Sequence, residues 1–292
     1  MKSPPFAYDA PKTVDAAVAL LAEYGADAKV LAGGQSLVPL MNMRLARPSV
    51  LIDINRIASL QYIRVEADGS LAIGAGTRQS AAEHSPEVAR GWPVLVEALR
   101  QVGHITIRNR GTIGGSLAHA DPTAELPTLA VALDATFRLS GPRGERTVRA
   151  REAYVSYLTT VIAPEEILTE VRFPAPAPRS GGAFLEISRR HGDYALVAAA
   201  ARVTVDTAGR CTNAAVALAG VAATPLLAGP RGSELQGKRL DEATLRDASR
   251  QYAAGLDPPT DVHADGEYRS EVAAVLMRRA MALAFERAVK GA

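Results

Sequence analysis

Two glycine-rich segments carry residue types that bind phosphate groups: AGGQSL, from Ala32 to Leu37, and TIGGSL, from Thr112 to Leu117. Glycine has no Cβ, so consecutive backbone N–H groups can converge on an anion. Ser36, Thr112 and Ser116 add hydroxyl donors beside those amides. Either segment alone is also typical of an ordinary tight turn between a strand and a helix. Because two such segments occur in one chain, the sequence favours a cradle that binds a diphosphate from two sides.

Alternating strands and helices are predicted around the first glycine segment. A helix is predicted after Thr13, a residue type that caps helix N-termini, and it ends at Gly25. The apolar run AKVL predicts a strand, SLVPLMNMRL a helical turn, and SVLIDIN a second buried strand. This β–loop–α–β order is typical of nucleotide-binding units. The segment has neither the GxGxxG spacing nor the lysine of a P-loop, so neither of those motifs is present.

The remaining elements predict two domains. Hairpins are predicted around Asp68-Gly69 and between Gly141 and Gly144. Helices are predicted at about 77–84, 92–102 and 124–133, and the segment EEILTEVRFP closes the first unit. Proline and glycine crowd PAPAPRSGG, at 174–182, which indicates a boundary. After it, AFLEISRR, ALVAAAARVTV and AAVALAGV predict three strands, and helices follow at about 241–254 and 268–288. We predict a first domain over 1–175, with subdomains of about 1–57 and 58–175, and a second over 180–292.

Composition excludes several classes of function. The 292 residues include 33 Lys and Arg against 31 Asp and Glu, a net charge of +2 that gives no support for nucleic-acid binding. The single cysteine, Cys211, cannot ligate an iron–sulfur cluster by itself. The scattered histidines have no metal-site spacing, and no acid–base or nucleophilic catalyst stands out. Any redox chemistry would therefore come from a bound organic cofactor or from a partner chain. Without a signal sequence or an apolar span, a cytoplasmic protein is expected.

Longer strings around the glycine segments resemble a known family. AGGQSLVPLMNMRLARPSVLIDINRI, ITIRNRGTIGGSLAHADPTAELP, EEILTEVRFP, RRHGDYALVAAAA and YRSEVAAVLMRRA are similar to the flavin-binding subunit of the xanthine dehydrogenase family. Within that family the chain is most similar to the medium subunit of carbon monoxide dehydrogenase-type enzymes. The resemblance covers nearly the whole chain. It implies an α+β fold, in which an FAD-binding domain of the vanillyl-alcohol-oxidase (PCMH) type with two subdomains precedes a C-terminal α+β domain with a small antiparallel sheet and helices.

The resemblance also implies which residues contact FAD. The family's two pyrophosphate loops match Leu31, Ala32, Gly33, Gly34, Gln35, Ser36 and Leu37, and Thr112, Ile113, Gly114, Gly115 and Ser116. Its acids on the ribose side match Asp121 and Glu125. Its apolar residues near the isoalloxazine ring match Ile167 and Leu168, and the aromatic residue over that ring matches Tyr194.

Several of these residues depart from the family pattern or have an ordinary structural alternative. Ser116 replaces the usual asparagine, Gln35 a common histidine, and Glu125 the usual aspartate, which keeps a carboxylate acceptor on a longer side chain. For Asp121 and Glu125 the alternative is a solvated loop or helix-start carboxylate. Ile167 and Leu168 are alternatively plain core residues, and Tyr194 a tyrosine that packs at the domain junction.

The lysine that some relatives place near the flavin is absent. The corresponding segment is AFLEISRR, with Leu185 and Glu186, which argues against reduction of NAD. The sequence leaves the substrate and the final electron acceptor undetermined.

The resemblance implies partners as well as a cofactor. In the family, a large subunit holds the molybdopterin cofactor, a small subunit holds two [2Fe–2S] clusters, and the flavin subunit passes electrons from those clusters through FAD to an external acceptor. The expected assembly is a dimer of heterotrimers. One alternative is a stand-alone FAD-dependent oxidase with the same flavin-binding architecture, although the chain after Pro174 is short for a substrate-capping domain. The other is a nucleotide-binding assembly module that has lost flavin, against which the intact glycines argue.

Overall fold

A small parallel sheet positions the first glycine segment. The computed structural model describes residues 2–228 and 234–291. Strands β1 (Ala7–Asp9), β2 (Ala28–Leu31) and β3 (Val50–Asp53) pair in the order β1–β3–β2, with helices α1 (Val14–Tyr24) and α2 (Leu37–Asn42) between them. The predicted N-cap is confirmed, since the Thr13 hydroxyl accepts a hydrogen bond from the Ala16 N–H at 3.2 Å. The predicted strands on either side of AGGQSL are also confirmed.

A five-stranded antiparallel sheet forms the second layer. Its order is β4–β5–β10–β6–β7, and the strands are β4 (Ile63–Val65), β5 (Leu71–Gly74), β6 (Thr136–Gly141), β7 (Gly144–Arg149) and β10 (Ile167–Phe173). Both predicted hairpins are present, and Gly69 adopts a φ of +79° in the first turn. Strand β10 lies between β5 and β6, so the last of these strands along the chain is the central strand of the sheet.

Short helices connect β5 to β6, and one of them corrects a prediction. They are α3 (Gln79–Glu83), α4 (Pro86–Gly91), α5 (Pro93–Gln101), α6 (Ile105–Arg110), α7 (Ile113–His119) and α8 (Glu125–Ala132). The predicted helices at 77–84, 92–102 and 124–133 are confirmed as α3, α5 and α8. The segment TIGGSL was expected to form a loop, but Thr112 is the N-cap of α7 and both glycines lie inside that helix.

A hairpin follows β7 on the way to β10. Helix α9 (Ala150–Ala153) leads into β8 (Tyr154–Ser156), which pairs with β9 (Thr159–Thr160). Leu158, in the turn, has a φ of +50°, and its N–H donates to the Ala120 carbonyl at 3.3 Å. The hairpin tip is therefore attached to the end of α7.

The C-terminal part is a four-stranded antiparallel sheet covered by two helices. Its elements are β11 (Ser180–Ser188), β12 (Ala195–Val205), β13 (Cys211–Ala219), β14 (Leu226–Ala228), α10 (Glu242–Ala253) and α11 (Gly266–Lys290). Alternate residues of β12 face opposite sides, so Ala198 and Ala200 join the core shared with α8, whereas Ala199 and Ala201 join the core under α11. The alanines of this strand are thus small residues buried on both faces. The predicted α+β fold class is confirmed.

Within the described residues, no helix is long and apolar enough to cross a membrane.

Candidate functional site

One cleft brings the predicted site residues together. It has a volume of about 740 Å³ and lies where β2, α7, the β8–β9 hairpin and the start of β12 meet. All but two of the predicted residues line it: Ala32, Gly33, Gly34, Gln35, Ser36, Leu37, Thr112, Gly114, Gly115, Ser116, Asp121, Glu125, Ile167, Leu168 and Tyr194. The side chains of the other two, Leu31 and Ile113, do not line it, and Ile113 is buried in the main core.

The two glycine segments touch each other along one wall of this cleft. A Cβ on Gly33 would lie 2.5 Å from the Arg110 carbonyl oxygen and 2.7 Å from the Gly111 Cα. These are backbone atoms, so a side chain at Gly33 would force the two segments apart. On the other side, a Cβ on Gly115 would lie 3.5 Å from the Ala32 Cβ. Glycine is needed here because two stretches of backbone pack directly together.

In the first glycine segment, carbonyl groups are hydrogen-bonded within the protein, and the N–H groups are available to a ligand. The carbonyls of Gly34 and Ser36 accept from Val38 and Leu40 at 3.2 and 3.1 Å. The Ala32 carbonyl accepts from the Asn55 side-chain amide at 2.8 Å. In contrast, the N–H groups from Gly33 to Leu37 have no acceptor in the part of the chain that the structure describes. A run of unpaired N–H groups on a cleft wall is an anion site.

The second segment is built differently from the prediction. The Thr112 hydroxyl caps α7 by accepting from the Gly115 N–H at 3.0 Å, and the Gly114 N–H donates to the Ala75 carbonyl at 2.9 Å. The N–H groups of Ile113 and Ser116 are also bonded, to the carbonyls of Thr77 and Thr112. Protein groups therefore already satisfy the amides from Ile113 to Ser116, which were expected to bind a diphosphate. This segment contributes the Ser116 hydroxyl and a surface almost without side chains.

Two acids stand at the far end of α7. The Asp121 carboxylate accepts from the Thr123 N–H and hydroxyl at 2.9 and 2.6 Å, so one of its oxygens organises the local turn. Glu125 is only 5% exposed. Burial, and then the charges of Glu186 and Asp121, raise the pKa of Glu125 to about 8. Glu125 therefore holds a proton near neutral pH and can donate a hydrogen bond, whereas the sequence predicted an acceptor.

An apolar wall and an aromatic ring face each other across the cleft. Ile167 and Leu168, at the start of β10, are buried and belong to two different cores, as in the alternative of plain core residues. Both residues also line the cleft. The β10–β6 register shifts between Leu168 and Glu170, a bulge that redirects side chains beside the site. Tyr194 is 55% exposed and lies at the cleft mouth, just before β12.

Other lining residues were missed by sequence reasoning. They include Gln79, whose Oε1 is buried without a partner among the described residues, and the β8–β9 residues Leu158 to Thr160. Gly192 also lines the cleft, and a Cβ there would meet the His104 ring at 2.7 Å. The only signal for Gly192 was its place in RRHGDY, two residues before Tyr194. Gln79 and the hairpin reach the site through tertiary packing that no local pattern reveals.

Comparisons with known proteins identify the family of the chain. Residues 4–176 match the FAD binding domain in molybdopterin dehydrogenase, and residues 182–284 match the CO dehydrogenase flavoprotein C-terminal domain. The chain is 43% identical to the 6-hydroxypseudooxynicotine dehydrogenase complex subunit alpha of Paenarthrobacter nicotinovorans, over 99% of this chain and 97% of that protein. It is 39% identical to the carbon monoxide dehydrogenase medium chain of Hydrogenophaga pseudoflava, over 98% of this chain and 99% of that one.

Solved structures give the same result. A carbon monoxide dehydrogenase structure from Hydrogenophaga pseudoflava superimposes with a TM-score of 0.95 at 39% identity, covering 98% of this chain and 99% of that chain. The predicted FAD-binding fold and the family resemblance are therefore confirmed. The chain belongs to the family of FAD-binding flavoprotein subunits of molybdopterin-dependent dehydrogenases.

Proposed function

We propose that the cleft binds FAD with its diphosphate against the Gly33–Leu37 amides. The observation that carries this proposal is the run of N–H groups that have no acceptor among the described residues, in a loop where the carbonyls of Ala32, Gly34 and Ser36 accept hydrogen bonds. The cleft's volume of about 740 Å³ lies within the range of sites for large organic cofactors. The residues present therefore fit a dinucleotide. When bound, FAD supplies the redox chemistry, because it exchanges electrons with both one- and two-electron partners.

In this proposal the chain's own residues bind the diphosphate, orient the flavin ring and shield that ring from solvent. The backbone amides of the first segment donate to the diphosphate, and the Ser36 and Ser116 hydroxyls add donors from its two sides. Ile167 and Leu168 form a dry wall for the flavin ring, and Tyr194 covers the open side. No residue of the chain acts as an acid–base catalyst in this proposal.

We further propose that the chain is an electron relay within a multi-subunit molybdenum hydroxylase. Electrons would enter from the [2Fe–2S] clusters of a small partner subunit, after substrate oxidation on a large subunit with the molybdopterin cofactor, and leave to an external acceptor. The similarity to a protein named a medium chain, and to one named a subunit of a dehydrogenase complex, supports this role. The lone Cys211 is buried, so the clusters belong on another chain. A dimer of heterotrimers is the assembly we propose.

Flavin content tests the first part of the proposal. The purified chain should show a flavin absorption spectrum and release FAD, identified by mass, when it is denatured. A folded chain that binds no FAD at micromolar concentrations would exclude the proposed site.

Anaerobic reduction tests the relay. In the purified complex, substrate should bleach the flavin, and removal of the small subunit should abolish that bleaching while dithionite still reduces FAD. If the isolated chain turned over an organic substrate without partners, the stand-alone oxidase would be the correct function. Native mass measurement of the complex would give the stoichiometry.

A further inference from the structure

We propose that Arg269 is a positioning residue for the flavin site, acting from outside the cleft on the segments that carry Tyr194 and Asp121. This inference rests on the proposed FAD site. Arg269 lies in the first turn of α11, far from the cleft in sequence, and its side chain is only 3% exposed. A buried guanidinium is costly unless nearby acceptors compensate its charge, so the acceptors that it binds identify what it holds in place. The Arg269 Nε has no acceptor among the described residues, so the two Nη nitrogens make all of its hydrogen bonds there.

The guanidinium binds two backbone carbonyls and one carboxylate, from three segments of the chain. Its Nη1 donates to the carbonyls of Leu196 and Gly220, the latter at 3.1 Å. These two residues lie just beyond Ala198 and Ala219, where the pairing of β12 with β13 ends. The second nitrogen, Nη2, donates to the Asp261 carboxylate at 2.7 Å. Arg269 therefore substitutes for ladder hydrogen bonds at the end of the sheet nearest the cleft.

One bonded strand end continues along the chain into the cleft wall, and the other is hydrogen-bonded to a residue beside that wall. Leu196 is two residues after Tyr194, with the buried Ala195 between them. Gly220 donates its N–H to the Pro122 carbonyl at 3.0 Å, and Pro122 follows Asp121 in the chain. One side chain thus fixes Tyr194 through Leu196 and the Asp121 turn through Gly220.

The local backbone leaves little freedom for a replacement of this contact. Gly220 has a φ of +76°, and a Cβ there would lie 2.2 Å from the Leu196 carbonyl oxygen. The two carbonyls are therefore close together and both point toward the guanidinium. Without a cation between them, two carbonyl dipoles would repel each other, and the strand ends would separate. That separation would move Tyr194 and Asp121 relative to the glycine loop.

Arg287 provides a matched control on the same helix. It also links α11 to backbone, donating to the Gly182 carbonyl at 2.6 Å, and it pairs with Glu97 at 2.7 Å. Neither Gly182 nor Glu97 lines the cleft. Loss of Arg287 should therefore weaken the attachment of α11 without disturbing the cofactor site.

The test compares Arg269→Met with Arg287→Met in the full chain. Three quantities are measured: the melting temperature of the apo-protein, the dissociation constant for FAD, and the fluorescence yield of bound FAD, which a nearby tyrosine quenches. We expect both variants to lower the melting temperature. Only Arg269→Met should raise the dissociation constant, by about tenfold or more, and increase the fluorescence of bound FAD. Arg287→Met should leave both flavin readouts within about twofold of the wild type.

A second variant guards against misfolding. Arg269→Lys keeps the charge but has a compact head group that cannot span three acceptors. It should raise the dissociation constant by about threefold or more, with the same change in fluorescence. Equal flavin readouts for the wild type and the Arg269 variants would overturn this inference alone. A wild-type chain that binds no FAD would overturn the proposed site and this inference with it.

Discussion

Replacement of Gly33 by alanine is the sharpest test of the glycine contact. The added methyl would lie 2.5 Å from the Arg110 carbonyl oxygen, whereas ordinary contacts begin at 3.4 Å. The obstructing atoms belong to backbone on the far side, so no side chain can rotate away. The first glycine segment must therefore move by about 0.9 Å relative to α6 and α7.

The size of the effect follows from that displacement. Forcing a methyl into a packed contact costs about 1–3 kcal/mol of folding stability. In addition, a hydrogen bond of about 2.9 Å that lengthens by that amount is no longer a hydrogen bond. Loss of one amide–phosphate bond, of the kind made to a charged group, costs about 1.5–3 kcal/mol. We therefore expect Gly33→Ala to weaken FAD binding by about 10- to 150-fold.

Titration of the apo-protein with FAD, followed by flavin fluorescence, measures this change, and a thermal melt shows whether the variant is folded. Gly91→Ala is the matched control, because Gly91 ends α4 and a Cβ there meets nothing within 4 Å. The control should bind FAD as the wild type does and be equally or more stable. A folded Gly33→Ala variant with wild-type affinity would refute both the contact and the placement of the diphosphate.

Three further changes give independent tests. Burial raises the pKa of Glu125 to about 8 from an ordinary 4.5, so between these values folding takes up a proton. The free energy of unfolding of the apo-protein should therefore fall between pH 5 and 8, by up to about 1.4 kcal/mol per pH unit. Glu125→Gln should flatten that decline in denaturant titrations, and an unchanged slope would contradict the protonated state. Tyr194→Ala should leave apo stability within about 0.5 kcal/mol, since the side chain is exposed, and should speed reoxidation of reduced flavin by a small acceptor in stopped flow. Thr112→Val removes the N-cap of α7 and should cost about 1 kcal/mol in a thermal melt; Ser85→Ala, at the N-cap of α4, is its comparison away from the cleft.

Much of the fold could be predicted because its signals are local. Thr13 and Gly25 delimit α1 through capping chemistry, and Asp68-Gly69 sets a hairpin through its turn preference. Short helices were less predictable. Pro86 and Ser85 start α4 with a proline and a serine cap, yet its six residues are too few to show a helical period.

The site was predictable in composition but not in its hydrogen bonding. The resemblance named residues that the fold does bring to one cleft, and the spacing of the two glycine segments was the physical clue to it. Whether an amide is free depends on acceptors distant in the chain, such as Ala75 and Thr77, which bond the amides of α7. No pattern within TIGGSL shows those acceptors. The raised pKa of Glu125 likewise depends on tertiary structure, first through burial of the carboxyl group and then through the charge of Glu186 in the C-terminal sheet.

Glycine is therefore needed in the two segments for different physical reasons. In the first segment, glycine permits a loop in which the carbonyls of Ala32, Gly34 and Ser36 accept hydrogen bonds while the N–H groups have no acceptor among the described residues. In the second, a Cβ on Gly114 would lie 2.4 Å from the Ala75 Cβ, so glycine there lets α7 pack against the end of β5. A Cβ on Gly115 would lie 2.6 Å from the Thr112 hydroxyl oxygen, so glycine there leaves room for the cap of α7, while Ala32 of the first loop lies at ordinary contact distance, 3.5 Å. In the proposed site, amide donors on one side would bind the diphosphate by charge, and bare backbone on the other side would bind it by close packing.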